Sequence, residues 1–163
     1  MHKLIVLRGN SGSGKTTVAK ALQQKLGENT MLISQDMIRR EILKVSDGAD
    51  TKVLPLLKEL LRYGSRHSDV VILEGIMFSE WYRPLFELAA ELYGREIYAY
   101  YFDIPFEETL RRHSTRAKSS EFGEKEMRSW WVDKDYTPVF KEEIISADMD
   151  KDSIVQRIFE KVS

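Results

Sequence analysis

Gly9-Asn10-Ser11-Gly12-Ser13-Gly14-Lys15-Thr16 is a full match to the pattern G-x-x-x-x-G-K-[ST]. With glycine near ~7% of residues, chance supplies this pattern in fewer than roughly one in a hundred chains of this length. Its flanks are those the pattern needs. Leu4-Ile5-Val6-Leu7 is an apolar run suited to a buried parallel strand that ends at Gly9. Val18, Leu22 and Leu26 follow at helical steps, so the next helix aims its positive end at whatever the loop holds. Glycines let successive N–H groups curl inward to form an anion cradle. Lys15 supplies a point charge for the outer phosphates of a nucleoside triphosphate, and the Thr16 hydroxyl suits Mg2+. A Gly/Ser-rich turn with an incidental lysine is the alternative, and the strand and helix flanks argue against it.

Outward from this loop, strand-like runs near 3–8, 30–34, 69–74, 96–103 and 141–146 alternate with helix-like ones. That alternation predicts an α/β layered fold with a mostly parallel sheet. Helical spacing is expected over Asp36 to Lys44, with Ile38 and Ile42 inward, and over Thr51 to Tyr63. Ser79 is placed to cap a helix ended by Gly94, and Pro105 to open another at its first turn. Ile154, Val155, Ile158, Phe159 and Val162 mark one face of a closing helix. The polar stretch Thr115 to Tyr136, with Met127, Trp130 and Trp131 at helical spacing, has the character of a flap. The two tryptophans suit either packing or stacking on a ligand.

At 163 residues the chain fits one domain, 1–163, and a net charge of -1 provides no overall field for gathering nucleic acid or anionic lipid. A local basic run, Arg111 to Lys118, is the exception, and a solvated helix face explains it equally well. The absence of cysteine excludes disulfides, thiolate nucleophiles and Cys-based zinc sites, while the three histidines lack ligand spacing. With no apolar stretch able to span a bilayer and no signal-peptide core, the cytoplasm is the expected compartment.

In parallel sheets ligands sit beyond the carboxyl ends of strands, so residues there carry the most weight. Asp36 follows the second strand, where it can act as a general base on an acceptor hydroxyl, as a helix cap, or as both. Glu74 ends the third strand, suited to metal or substrate, or simply a polar terminus. Arg112 and Arg116, four residues apart, can share a helix face and neutralise charge on a migrating phosphoryl group.

Taken together these residues resemble the small P-loop kinases that include phage-type polynucleotide kinases, chloramphenicol phosphotransferase and zeta-toxin kinases. The resemblance spans nearly the whole chain. It rests on the loop plus Asp36-Met37-Ile38-Arg39, and the segments Asp103 to Thr109 and Phe122 to Arg128 look like those of small bacterial kinases often labelled uridine kinases. It implies a three-layer α/β/α P-loop NTPase sandwich, a five-stranded sheet of order 2-3-1-4-5, and a small lid at about 112–136. It also implies ATP and Mg2+ as cofactors, with Asp36 as base and Arg39 as an acceptor-side contact.

The expected site is therefore Lys15, Asp36 and Arg116 for catalysis. Gly9, Asn10, Ser11, Gly12, Ser13, Gly14, Lys15, Thr16, Thr17 and Arg112 would hold the nucleotide. Asp36, Arg39 and Glu74 would meet the acceptor, and Thr16 and Glu74 the metal. The expected reaction moves the γ-phosphate to a hydroxyl of a small molecule, or of a nucleic-acid end as the sole role for nucleic acid. Rival readings are a nucleotide-controlled switch with slow hydrolysis and a nucleotide kinase whose acceptor is a phosphate, gripped by Arg39 and Arg40. A GTPase is disfavoured, because Asn-Lys-x-Asp is absent and asparagine occurs only at Asn10 and Asn29.

Overall fold

The computed structural model describes residues 2–114 and 123–163. Five strands, β1 (Lys3–Gly9), β2 (Thr30–Ser34), β3 (Val70–Gly75), β4 (Ile97–Phe102) and β5 (Glu142–Ile145), form one all-parallel sheet of order β2-β3-β1-β4-β5. This is the expected order. β1 lies at the centre because Leu4, Ile5, Val6 and Leu7 are apolar on both faces, and all four are 0% exposed.

The two-residue strand period sorts these side chains into two cores. Leu4 and Val6 join Ile33, Val71 and Leu73 beneath α3 (Val53–His67) and α4 (Ser79–Tyr93), where Leu57, Leu61, Leu85 and Phe86 close the layer. Ile5 and Leu7 join Ile72, Tyr100 and Phe102 beneath α1 (Lys15–Leu26) and α7 (Lys151–Val162), which contribute Val18, Leu22, Ile154 and Ile158. Each fully buried Leu or Ile stabilises the fold by about 1.5–3 kcal/mol relative to exposure. Helices on both sheet faces make the fold a three-layer α/β/α sandwich. Among the described residues no helix is long and apolar enough to cross a membrane.

Three local expectations are corrected. The segment expected as an ordinary helix from Asp36 is a short α turn, α2 (Gln35–Met37), that runs into a π-helical turn, Ile38–Leu43, closed by Lys44 in left-handed backbone at φ 54°. Apolar spacing alone does not separate these windings, which differ only in carbonyl partner. Ser79 is the first residue of α4 rather than its cap; Phe78 takes the cap position, and the Ser79 N–H is satisfied by Asp135 Oδ2 at 2.7 Å. Pro105 precedes α5 (Phe106–Ser114), and its carbonyl accepts the Thr109 N–H at 3.1 Å. A further helix, α6 (Glu124–Trp130), buries Met127.

Candidate active site

The loop after β1 turns under backbone constraints that glycine meets. Gly12 (φ 79°) and Gly14 (φ 99°) are left-handed, and a Cβ on Gly12 would lie 2.9 Å from the Thr109 carbonyl oxygen of α5. The loop therefore packs directly on α5, and α1 begins at Lys15 with its N-terminus toward the cradle. Lys15 is 7% exposed, and its Nζ donates to the Asn10 carbonyl at 3.1 Å, curled back over the loop.

Glu74 at the end of β3 is 2% exposed. It faces Thr16 Oγ1, which lies 3.2 Å from each carboxylate oxygen, and accepts Ser34 Oγ at 2.6 Å. The β2–β3 register, Ser34 opposite Glu74, creates this meeting. These are hard oxygen donors of the type Mg2+ takes. Among the described residues no group of three or more His, Cys, Asp or Glu side chains gathers, so a divalent ion held here would complete its shell from phosphate oxygens and water.

A cleft of about 410 Å³ extends from the loop to α2, the β3–α4 connection and α6. Lys15, Thr16 and Glu74 line it together with Asp36, Arg39 and Arg40. Asp36 Oδ1 receives Arg39 Nη2 at 3.2 Å and Arg40 Nε at 2.7 Å, so the π turn folds two guanidiniums onto one carboxylate. A second cavity of about 290 Å³ meets the loop at Gly12, Ser13, Gly14 and Thr17. Arg112 lines it too, with Met149 and Asp150 just before α7.

Arg112 crosses the loop from α5. Its Nη1 donates to the Ser13 carbonyl at 2.9 Å, and its Nε is held by Glu108 Oε2 at 3.0 Å. Hydrogen bonds from Arg111 first, and then from Arg112, pull the Glu108 carboxyl down to about 2. Arg116, expected to serve catalysis from the lid, lies outside the described residues.

The side chain of Asn10, a residue expected at the nucleotide, is turned to the chain beyond α6. Asn10 Nδ2 donates to the Val132 carbonyl at 2.6 Å, and Oδ1 accepts the Val132 N–H at 3.0 Å. Arg8, wholly buried, anchors the same segment through Asp135 and Glu142. Trp131 packs edge-on against Phe106 at 5.3 Å between ring centres, while Trp130 lines the large cleft.

Ser11, Gly12, Gly14, Lys15, Thr16, Thr17, Asp36, Arg39 and Glu74 thus share one cleft, whereas Gly9 sits against Phe102 and Ser13 faces the second cavity. Sequence reasoning missed Gln35, Asp47, Phe78 and Trp81, all on the cleft wall. Gln35, directly after β2, was open to the same strand-end logic that found Asp36. The others come from connections whose approach to the cleft leaves no local pattern.

Residues 4–130 match the family described as AAA domain. No curated protein is similar enough in sequence to count as a match. Among solved structures, APS kinase from Mycobacterium tuberculosis, in complex with AMPPNP and APS, superposes with a TM-score of 0.69 at 19% identity, covering 98% of this chain and 96% of that one. A gluconokinase from Sinorhizobium meliloti gives 0.69 at 17%, covering 98% and 91%. Shikimate kinase from Acinetobacter baumannii, in complex with shikimate, gives 0.61 at 19%, covering 99% and 93%. These likenesses establish a shared fold. The chain belongs to the AAA-domain family, built on the fold of the small P-loop kinases.

Proposed function

We propose that this protein is an ATP-dependent phosphotransferase that moves the γ-phosphate of Mg-ATP to a hydroxyl of a small molecule or of a nucleic-acid end. The observation that carries the reading is the shared cleft, which Lys15, Thr16 and Asp36 line together. The loop amides and Lys15 bind and orient the phosphates, and Arg112 adds charge from above. Thr16 and Glu74 would hold the metal, which supplies neutralisation of phosphate charge. Asp36 takes the hydroxyl proton as the new O–P bond forms and the bond to the β-phosphate oxygen breaks, releasing ADP. A base so placed contributes typically ~100- to 10,000-fold. The second cavity, between Arg112 and the start of α7, suits the nucleoside end of ATP.

The kinase names of the three structural neighbours favour transfer over a nucleotide switch. A phosphate acceptor is less favoured, because Arg39 and Arg40, the cations that would grip it, both bind Asp36. The test is a γ-labelled ATP assay with and without a panel of hydroxyl-bearing compounds. ATP consumption that stays negligible until an acceptor is added, with label appearing on that acceptor, supports transfer. Consumption that ignores every acceptor and responds to a protein partner supports the switch instead.

A further inference from the structure

The cleft beside Asp36 holds a second carboxylate for which the transfer step has no use. Asp47, beyond the π turn, lines the same cavity as Lys15 and Asp36. A buried relay fixes it in place. Tyr82, 0% exposed, accepts Gln35 Nε2 at 2.8 Å and donates its own hydroxyl to Asp47 Oδ1 at 2.6 Å. Burial first, and the Asp47 acceptor next, push the Tyr82 phenol far above its usual range, so it remains a permanent donor. Asp47 Oδ1 also takes the Gly48 N–H at 3.0 Å. Both bonds fall on Oδ1, leaving Oδ2 without a hydrogen-bond partner among the described residues.

Aromatic side chains line the same cleft as this carboxylate. Phe78 and Trp81 meet edge to face at 4.9 Å, and with Trp130 they line the cleft. Charge lining the cleft cancels: Lys15, Arg39 and Arg40 stand against Asp36, Asp47 and Glu74. An anionic acceptor would meet the polyphosphate tail with no excess cation in the cleft to offset the repulsion. A protonated amine meets a carboxylate, ring faces and the phosphates, each attractive, while Arg39 and Arg40 are paired to Asp36.

We propose that the acceptor is a ring-bearing amino alcohol whose protonated amine binds Asp47 Oδ2, with its ring against Trp81 and Phe78 and its hydroxyl toward Asp36. The inference rests on the phosphotransfer reading and narrows its substrate class. The amine keeps its proton throughout; only the hydroxyl proton moves, to Asp36, as the O–P bond forms.

The test uses amino sugars and aryl amino alcohols, each beside its deaminated and its carboxylated counterpart, in a γ-phosphate transfer assay. The protonated probes should show kcat/KM about 10- to 100-fold above their neutral partners, the factor expected of a charge-assisted hydrogen bond. Asp47→Asn should bring that ratio near unity, with nucleotide Kd as the folding control. Tyr82→Phe, which removes the tether and spares the charge, should reduce the ratio in part. Equal or better labelling of the carboxylated or neutral probes, or an undiminished ratio in Asp47→Asn, overturns the inference and leaves phosphotransfer standing. Label on none of these probes overturns the inference, and label on no member of the wider hydroxyl panel removes the phosphotransfer reading as well.

Discussion

Replacing Arg8 with methionine tests whether a buried ion network holds the phosphate loop to the segment after α6. The guanidinium has five N–H donors, and they make five bonds: Nη1 to both Glu142 oxygens at 3.1 and 2.9 Å, Nη2 to Asp135 and to the Met77 carbonyl at 2.9 Å each, and Nε to Met77 at 3.2 Å. It also lies 5.0 Å from the Phe86 ring centre and 5.6 Å from that of Tyr101. Methionine keeps most of the stem volume and deletes every bond. Glu142, whose side chain is 3% exposed, then retains the Thr137 N–H at 2.8 Å and loses its counter-charge. Breaking a buried pair from one side costs about 3–5 kcal/mol. At ~2–4 °C per kcal/mol for a chain of this size, the melting temperature should fall by roughly 6–20 °C. Differential scanning calorimetry reads this directly. The companion variant Arg8→Met with Glu142→Met removes both charges, so it should melt above Arg8→Met alone. A single variant within about 1 kcal/mol of the parent, or a double variant whose losses simply add, refutes the network's role.

Three further outcomes follow from the site. Gly12→Ala places a Cβ 2.9 Å from the Thr109 carbonyl in left-handed backbone, so it should abolish ATP binding in calorimetric titration and lower the melting temperature. Glu74→Gln keeps the shape but removes the charge facing Thr16 and Ser34, and the Mg2+ concentration giving half-maximal activity should rise severalfold. An unchanged Mg2+ requirement would place the ion elsewhere. Glu108, drawn from an ordinary 4.5 to about 2 by Arg111 and then Arg112, stabilises the fold in its ionised form. Its contribution is complete above pH 4.5 and is lost as pH falls through about 2. The melting-temperature gap between the parent and Glu108→Gln should accordingly be constant from neutral pH to about pH 5 and close toward pH 2.

Much of the architecture was legible in the chain because burial leaves a local imprint. Leu4 to Leu7 and Val70 to Leu73 read as strands since a two-faced sheet core demands unbroken apolar runs, and Ile154, Val155, Ile158 and Val162 marked the buried stripe of α7. Strand-end logic brought Asp36 and Glu74 to the loop, because a parallel sheet aligns all its carboxyl ends. What escaped depended on partners far along the chain. Asn10 carries no sign that Val132 will face it, and Arg8, a charge inside a strand, is buried because Glu142 and Asp135 return beside it. The π turn at Ile38–Leu43 was invisible because apolar spacing says nothing about which carbonyl each N–H finds, and the changed winding leaves Ile38 buried but turns Ile42, expected inward, out to 58% exposure. Tyr82 stood out in no sequence pattern, whereas its hydroxyl organises Gln35 and Asp47.

The central claim is that Asp36 serves transfer rather than architecture, and Asp36→Asn tests it most directly. Single-turnover transfer of labelled γ-phosphate to an accepted hydroxyl, measured beside ATP Kd in the same preparation, separates the two roles. The account predicts a rate lower by ~100- to 10,000-fold with Kd changed less than about threefold. Transfer at the parent rate, or loss of rate and affinity in equal measure, contradicts it.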